Sequence, residues 1–267
     1  MPIPNACWPL LRGSRRYPEG VSAPPATLDA VFWDIDDTMF TTTAFAKRAR
    51  ERAIAAMIER GLNHPAEKVF AELQAVVEEF GSNDDRHYDR LLKRLPRKAM
   101  EGTNPDLLVV AGVIAYHETK WEELRLSSGT ARLLADLQKA GVALGVISAG
   151  LTRKQMEKIL RLGMDRFIDP GLIFITDQVG VAKSNPLLYR TAARAAKVKP
   201  ERAMHVGDHP LRDVESAKRA GFKVTWHRGS GKYSSLPPQP EPDHVVDAVE
   251  QLRPIFIEQY GIALPPR

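Results

Sequence analysis

Past Ser128 the chain changes rhythm, and that change restricts the fold more than any other feature. Helical periodicity at 130–140, 152–162, 186–196 and 211–220 alternates with short apolar runs at 142–147, 172–176, 203–206 and 222–226. Gly141 and Gly221 punctuate two of the transitions. A short strand near 244–246 and a terminal helix follow a proline-rich stretch at 237–242. Strands alternating with helices predict a parallel sheet covered on both faces. An earlier apolar run, Ala30-Val31-Phe32-Trp33, ends in Asp34 and reads as a buried first strand.

Between that strand and the alternating region the pattern is helical throughout. Helices are expected over 44–60, after Pro65 as far as Gly81, over 86–95 and over 105–123. Pro65 and Pro105 stand where a first-turn proline is tolerated. A block of about 80 residues is too large for one crossover helix, so it reads as an inserted domain. The expected fold class is α/β, a Rossmann-like doubly wound parallel sheet with an inserted all-α helical cap domain.

The 267 residues are 43% hydrophobic and 27% charged, enough for a real core. The longest apolar run, about 107–116, falls short of the roughly 20 residues a membrane span needs, so no membrane partner is expected. Net charge is +5, but basic and acidic residues are mixed rather than gathered in a stripe, which argues against nucleic acid. A mild positive field suits a phosphorylated substrate. One cysteine, Cys7, permits no internal disulfide and no cysteine-rich metal site. Residues 1–27 are rich in proline and arginine and read as a flexible arm. There the apolar stretch Trp8–Leu11 precedes Arg12, Arg15 and Arg16, the reverse of a secretory signal. Together these favour a cytoplasmic location.

Parallel sheets bind ligands beyond the carboxyl ends of their strands. Strand one ends in Asp34-Ile35-Asp36-Asp37-Thr38, and strand two in Ser148-Ala149-Gly150. Lys183 lies in the loop after strand three. Strand four ends in Gly207-Asp208, with Asp213 five residues later. A phosphate monoester resists attack because its anionic oxygens repel a nucleophile, so a catalytic site must gather positive charge. A carboxylate can then split one hard step into two. Asp34 is the candidate nucleophile. Asp36, two residues on and pointing the same way, is placed to protonate the leaving oxygen and then to deprotonate water. Asp37 faces elsewhere and reads as structural.

In this order, DxDxT (Asp34, Asp36, Thr38), a strand-ending serine (Ser148), a lone lysine (Lys183) and GDxxxxD (Gly207, Asp208, Asp213) resemble the motifs of the haloacid dehalogenase superfamily. The resemblance covers about 28–252, and the insert lies where the helical-cap subfamily carries its cap. It implies an arm at 1–27, a catalytic core at 28–42 and 125–252, a cap at 43–124 and a C-terminal tail at 253–267. It also implies a magnesium-dependent phosphatase acting through an aspartyl-phosphate on a small phosphorylated metabolite, a sugar or triose phosphate, as monomer or homodimer. Mg2+ would be held by the Asp34 side chain, the Asp36 carbonyl and Asp208, with Asp213 binding through water or orienting the shell. Lys183 would pair with a phosphate oxygen. Thr38 and Ser148 would offer hydroxyls, and Ala149-Gly150 a close backbone approach.

The match departs from the usual pattern in three places. Ser-Ala-Gly replaces Thr-Asn-Gly, Lys183 precedes Ser-Asn-Pro, and Asp37 replaces a common glycine. Other signals are weaker. His205 and His209 flank Asp208 but need not converge on zinc. Gly231-Lys232 lacks the first glycine and the Ser/Thr of a P-loop. His87, Tyr88, His117 and Lys120 in the cap are candidates for substrate selection. A phosphomutase, a phosphonatase using a cap lysine such as Lys47 or Lys120, and a non-catalytic binding protein are the alternatives on this fold. A dehalogenase has no need of Asp36.

Overall fold

The computed structural model describes residues 28–230, 232–233 and 235–265. The expected arm at 1–27, with Cys7, and Gly231 lie outside them. Six parallel strands form one sheet: β1 (Ala30–Trp33), β2 (Ala143–Ser148), β3 (Ile173–Ile175), β4 (Ala203–Gly207), β5 (Lys223–His227) and β6 (His244–Val246). Their order is β3-β2-β1-β4-β5-β6. β1 is central, with Trp33 paired to Val146 of β2 on one side and to Val206 of β4 on the other. The chain order reverses at β1, which makes its carboxyl end the switch point where such sheets bind ligands.

β1 is apolar at every position because both of its faces are covered. Val31 and Trp33 enter one core cluster and Ala30 and Phe32 the other. Between β1 and β2 the chain forms α1 (Thr42–Glu59), α2 (Ala66–Phe80), α3 (His87–Arg94) and α4 (Pro105–Glu123). These four build a core of their own, including Met57, Leu62, Leu73, Leu91 and Leu108, and so constitute an inserted helical cap. α4 starts where expected, with Pro105 in its first turn and the Asn104 side chain accepting from the Asp106 amide at 2.9 Å.

The sheet is flanked on one face by α5 (Ser128–Lys139) and α6 (Thr152–Leu162), through Leu133, Leu134, Leu137, Ile159 and Leu162. After the short α7 (Thr176–Val179), α8 (Pro186–Ala195) and α9 (Ser216–Ala220) cover the other face through Leu188, Tyr189, Ala192, Ala217 and Ala220. α6 also meets the cap. Glu157 pairs with Lys120 at 2.5 Å, Lys154 Nζ donates to the Asn83 carbonyl at 2.9 Å, and the Arg161 guanidinium lies 5.0 Å above the Trp121 ring.

Two stretches differ from the sequence expectation. The helix expected over 211–220 begins as a π-helical turn, Pro210–Glu215, and becomes α-helical only at Ser216. The wider turn accompanies Asp213, whose carboxylate reaches back to the His209 amide and to His205. The second difference is the segment expected as a tail from 253. It belongs to the body of the sheet domain, because α10 (Leu252–Glu258) buries Leu252 and Phe256 in the first core cluster, with Tyr260 and Ile262 following. Arg253 pairs there with Asp136, and both are buried. Phe256→Ala is therefore expected to cost about 3–5 kcal/mol of folding stability in urea denaturation. A loss within about 0.5 kcal/mol, as at an ordinary surface position, would show the segment to be peripheral.

Candidate active site

The turn after β1 assembles the site. The Asp34 amide donates to the Val206 carbonyl at 2.9 Å, extending the ladder by one residue. The chain then reverses, with the Thr38 and Met39 amides both turned onto the Ile35 carbonyl. Asp37 takes the left-handed conformation this reversal requires, at φ 57°. Its carboxylate accepts from the Thr43 amide at 3.0 Å and the Thr43 hydroxyl at 3.1 Å, tying the turn to the start of α1. Asp37 thus points away from Asp34 and caps the cap's first helix.

Asp34, Lys183, Asp208 and Asp213 come together in the interior. Lys183 Nζ lies 2.5 Å from an Asp34 oxygen and 2.5 Å from an Asp213 oxygen. Asp213 also accepts from His205 Nε2 at 2.8 Å and from the His209 amide at 2.9 Å. Gly207 makes room for this, since a Cβ there would fall 2.3 Å from Asp213 Cγ. The carboxylates of Asp34, Asp208 and Asp213 each offer an oxygen within 4.8 Å of the others. Among the described residues, none donates a hydrogen bond to the Asp208 carboxylate.

Crowding three carboxylates around one ammonium sets their protonation. Burial, helped by the charges of Asp213 and Asp36 and opposed by Lys183, pushes Asp34 up to about 7. Burial, then Asp213 and Asp34, pushes Asp208 up to about 8. Asp213 is buried too, yet the Lys183 ammonium and the bond from His205 hold it well below the usual carboxylate range. Burial works against the charge on Lys183, but Asp213 and Asp34 together raise it above its ordinary value. The cluster is short of positive charge, and its free donors are carboxylate oxygens. That composition fits a hard divalent cation.

Asp36 stands outside this cluster. It projects toward α6, where both its oxygens lie 2.6 Å from Lys158 Nζ. Gln155 Nε2 donates at 2.9 Å and the Thr42 hydroxyl at 2.7 Å. Burial opposes ionisation, but Lys158 and these two bonds hold the carboxyl below its ordinary pKa. Neither Lys158 nor Gln155 was visible as a site residue in the sequence. Each reads as a polar position on an amphipathic helix; only their three-residue spacing, on a helix following a strand-end motif, hinted at a shared face.

The remaining expected residues lie as follows. The Thr38 hydroxyl is 3.5 Å from Asp34 Oδ2. Ser148 ends β2, and its buried hydroxyl has no hydrogen-bond partner among the described residues. The Ala149 carbonyl accepts from Gln155 at 2.9 Å, and the Gly150 amide is already bonded to the Thr176 hydroxyl at 3.1 Å. Gly150 needs its glycine, with φ at 135° and a virtual Cβ 2.8 Å from Gln155 Nε2. His205 serves Asp213, while His209 Nδ1 accepts from the Leu211 amide at 3.2 Å, so the two imidazoles do not share a metal.

A doubly wound sheet with an all-helical insert and a buried acidic cluster at its switch point defines the class of protein. Residues 28–221 match the haloacid dehalogenase-like hydrolase family, and the chain belongs to it. It is 39% identical over 237 residues to a glyceraldehyde 3-phosphate phosphatase of Methanopyrus kandleri, covering 86% of this chain and 98% of that one. It is 38% identical to the Pyrococcus furiosus protein of the same name, over 88% of this chain and 95% of the other. Among solved structures, a putative beta-phosphoglucomutase from Thermotoga maritima superposes with a TM-score of 0.63 at 18% identity, covering 86% of this chain and 99% of that chain. At that identity the likeness concerns the fold.

The raised pKa values carry a stability signature. Folded Asp34 and Asp208 hold protons that the unfolded chain would have released, so the stability they contribute is present at low pH and lost as pH rises toward 8. His117, His205, His209, His227 and His244 are held below their ordinary value and work the other way until the unfolded chain has lost its imidazole protons, at about pH 7.5. In EDTA, the melting temperature is expected to fall between about pH 7.5 and 9, less steeply in Asp208→Asn, and added Mg2+ should restore it at the upper end. A flat wild-type profile would contradict the proposed crowding.

Proposed function

We propose that this hydrolase is a magnesium-dependent phosphatase of a small phosphorylated metabolite, with triose phosphate the first candidate, and that Asp34 is its nucleophile. The observation that carries the reading is the buried Asp34 carboxylate, 2.5 Å from Lys183 and within 4.8 Å of Asp208 and Asp213. The substrate class rests on relatives 38–40% identical that are named glyceraldehyde 3-phosphate phosphatases. A cytoplasmic location, and the division into a cap at 43–124 over a core at 28–42 and 125–252, belong to the same reading.

Asp34, Asp208 and Asp213, with the Asp36 backbone carbonyl, would hold the magnesium ion. Bound there, it supplies the positive charge the cluster lacks and screens Asp34 from the phosphate. Lys183 exchanges part of its pairing with Asp34 for a phosphate oxygen. The unpartnered Ser148 hydroxyl and the Thr38 hydroxyl donate to the phosphoryl oxygens. An Asp34 oxygen attacks phosphorus, the P–O bond to the alcohol breaks, and the leaving oxygen takes the proton carried by Asp36. Water then attacks the aspartyl-phosphate while Asp36 accepts its proton, releasing phosphate and regenerating the Asp34 carboxylate. The bonds Asp36 receives from Lys158, Gln155 and Thr42 suit the base half of this cycle. In the acid half, substrate must loosen the pair with Lys158 so that Asp36 holds the proton it took from water in the preceding turnover and passes it to the leaving oxygen. The helices α1–α4 would close over the bound substrate and exclude competing water.

Phosphate release from a panel of phosphorylated metabolites tests the reading. Mg2+-dependent turnover is expected, with triose phosphates ahead of hexose phosphates and nucleotides, and Asp34→Asn should abolish it. Turnover retained in Asp34→Asn would remove the nucleophile assignment. Preferential isomer conversion over phosphate release would point to a mutase. Lys158→Met removes the cation that holds Asp36 ionised, so it should slow the hydrolytic half and lower turnover of triose phosphate and p-nitrophenyl phosphate alike, by about 100-fold. A loss confined to triose phosphate would place Lys158 in leaving-group chemistry instead.

A further inference from the structure

Between Leu107 and Tyr116 α4 is apolar around its whole circumference, yet only part of it is covered. Leu108 and Gly112 are buried, with Gly112 lying against Met57 of α1. On the outer side Leu107, Val110, Ile114 and Trp121 are 63, 52, 51 and 68% exposed. A helix that is apolar on all sides is normally enclosed. Single exposed apolar side chains, such as Leu187 on α8 and Val245 on β6, are ordinary, but a contiguous row is not.

The row has internal order. With His117 included it steps by three, four, three and four residues, a repeat that keeps one seam facing a second helix. Toward its C-terminal end lies a hollow of about 550 Å3 lined by Val113, Ile114, His117, Glu118, Trp121 and Arg161. Arg161 Nε donates to Glu157 at 2.8 Å, and its buried Nη1 has no hydrogen-bond partner among the described residues. At the other end Leu107 projects beside the exposed carboxylate of Asp106.

We propose that this face joins two copies of the chain, α4 packing antiparallel on α4 about a two-fold axis at Ile114. Leu107 and Trp121 lie about 21 Å apart along the helix, with Ile114 midway. Antiparallel pairing therefore sets Leu107 of one copy into the hollow beside Trp121 of the other, and the axis repeats the contact. A projection and a hollow at opposite ends of one seam are what an isologous contact requires. About that axis Asp106 comes level with Glu122 of the other copy. The nearby acids Glu122 and Glu123 are neutralised within each copy by Arg52 and Arg48. The seam and its flanks cover on the order of 500 Å2 per copy, about 1,000 Å2 in all, at the lower bound for a specific contact. The dimer is accordingly a reversible one.

Sedimentation of the full chain from about 1 to 100 μM tests this. A concentration-dependent dimer is expected, with Ile114→Arg raising its dissociation constant by about 30-fold or more and leaving the thermal melt unchanged. In a Cys7→Ser background, Ile114→Cys should form a disulfide between copies on mild oxidation. Leu107→Cys alone should not, whereas Leu107→Cys combined with Trp121→Cys should. A monomer at the highest concentration would overturn the proposal, as would a dimer indifferent to Ile114→Arg. Crosslinking through Leu107→Cys alone would overturn the antiparallel arrangement.

Discussion

One ammonium group shared between two buried carboxylates governs the rest of this structure. Lys183 sits between Asp34 and Asp213 where water scarcely reaches, so neither carboxylate can shift without leaving a charge unpaired. Every backbone feature around it serves that placement. The order reversal at β1 opens the space, Gly207 gives up a side chain to admit Asp213, and the π turn brings its carboxylate back. Among the described residues Asp208 is left without a hydrogen-bond donor, and this unmet need for positive charge is what the proposed cation would fill.

The second organising feature is α6, a core helix that addresses two places at once. Its Lys158 and Gln155 hold Asp36, while Lys154 and Glu157 meet the helical insert. Adjacent positions on one helix therefore link the turn after β1 to the cap. In the proposed cycle, the side chain that handles the proton and the surface that closes over substrate are braced by the same element.

Much of this was legible in the sequence for stated physical reasons. The alternation after Ser128 reports a parallel sheet because buried strands must be apolar and crossover helices amphipathic. β2, α6, α8, β4 and their strand-end motifs fall where that pattern sets them. Asp37 reads as structural because residues one apart on an extended segment diverge, and it does cap α1. What stayed hidden is instructive. A lysine on a helix looks solvated until its neighbours in space are known, which concealed Lys158. A histidine within a strand looks like core, which concealed the bond from His205 to Asp213. Asp36 follows the alternation rule by residue spacing, but the tight turn after Ile35 swings it out of the acidic cluster toward α6. Short terminal helices such as α10 carry weak periodicity, and only the need to cover one sheet face reveals that Phe256 is core.

The central claim is chemical: the reacting group is the Asp34 carboxylate. Acid-quenching the enzyme during turnover of radiolabelled triose phosphate tests it most directly. The account predicts an acid-stable, hydroxylamine-labile label on the peptide that carries Asp34, absent from Asp34→Asn. Steady hydrolysis with no protein-bound label at any time, or a label carried by a histidine, would contradict it.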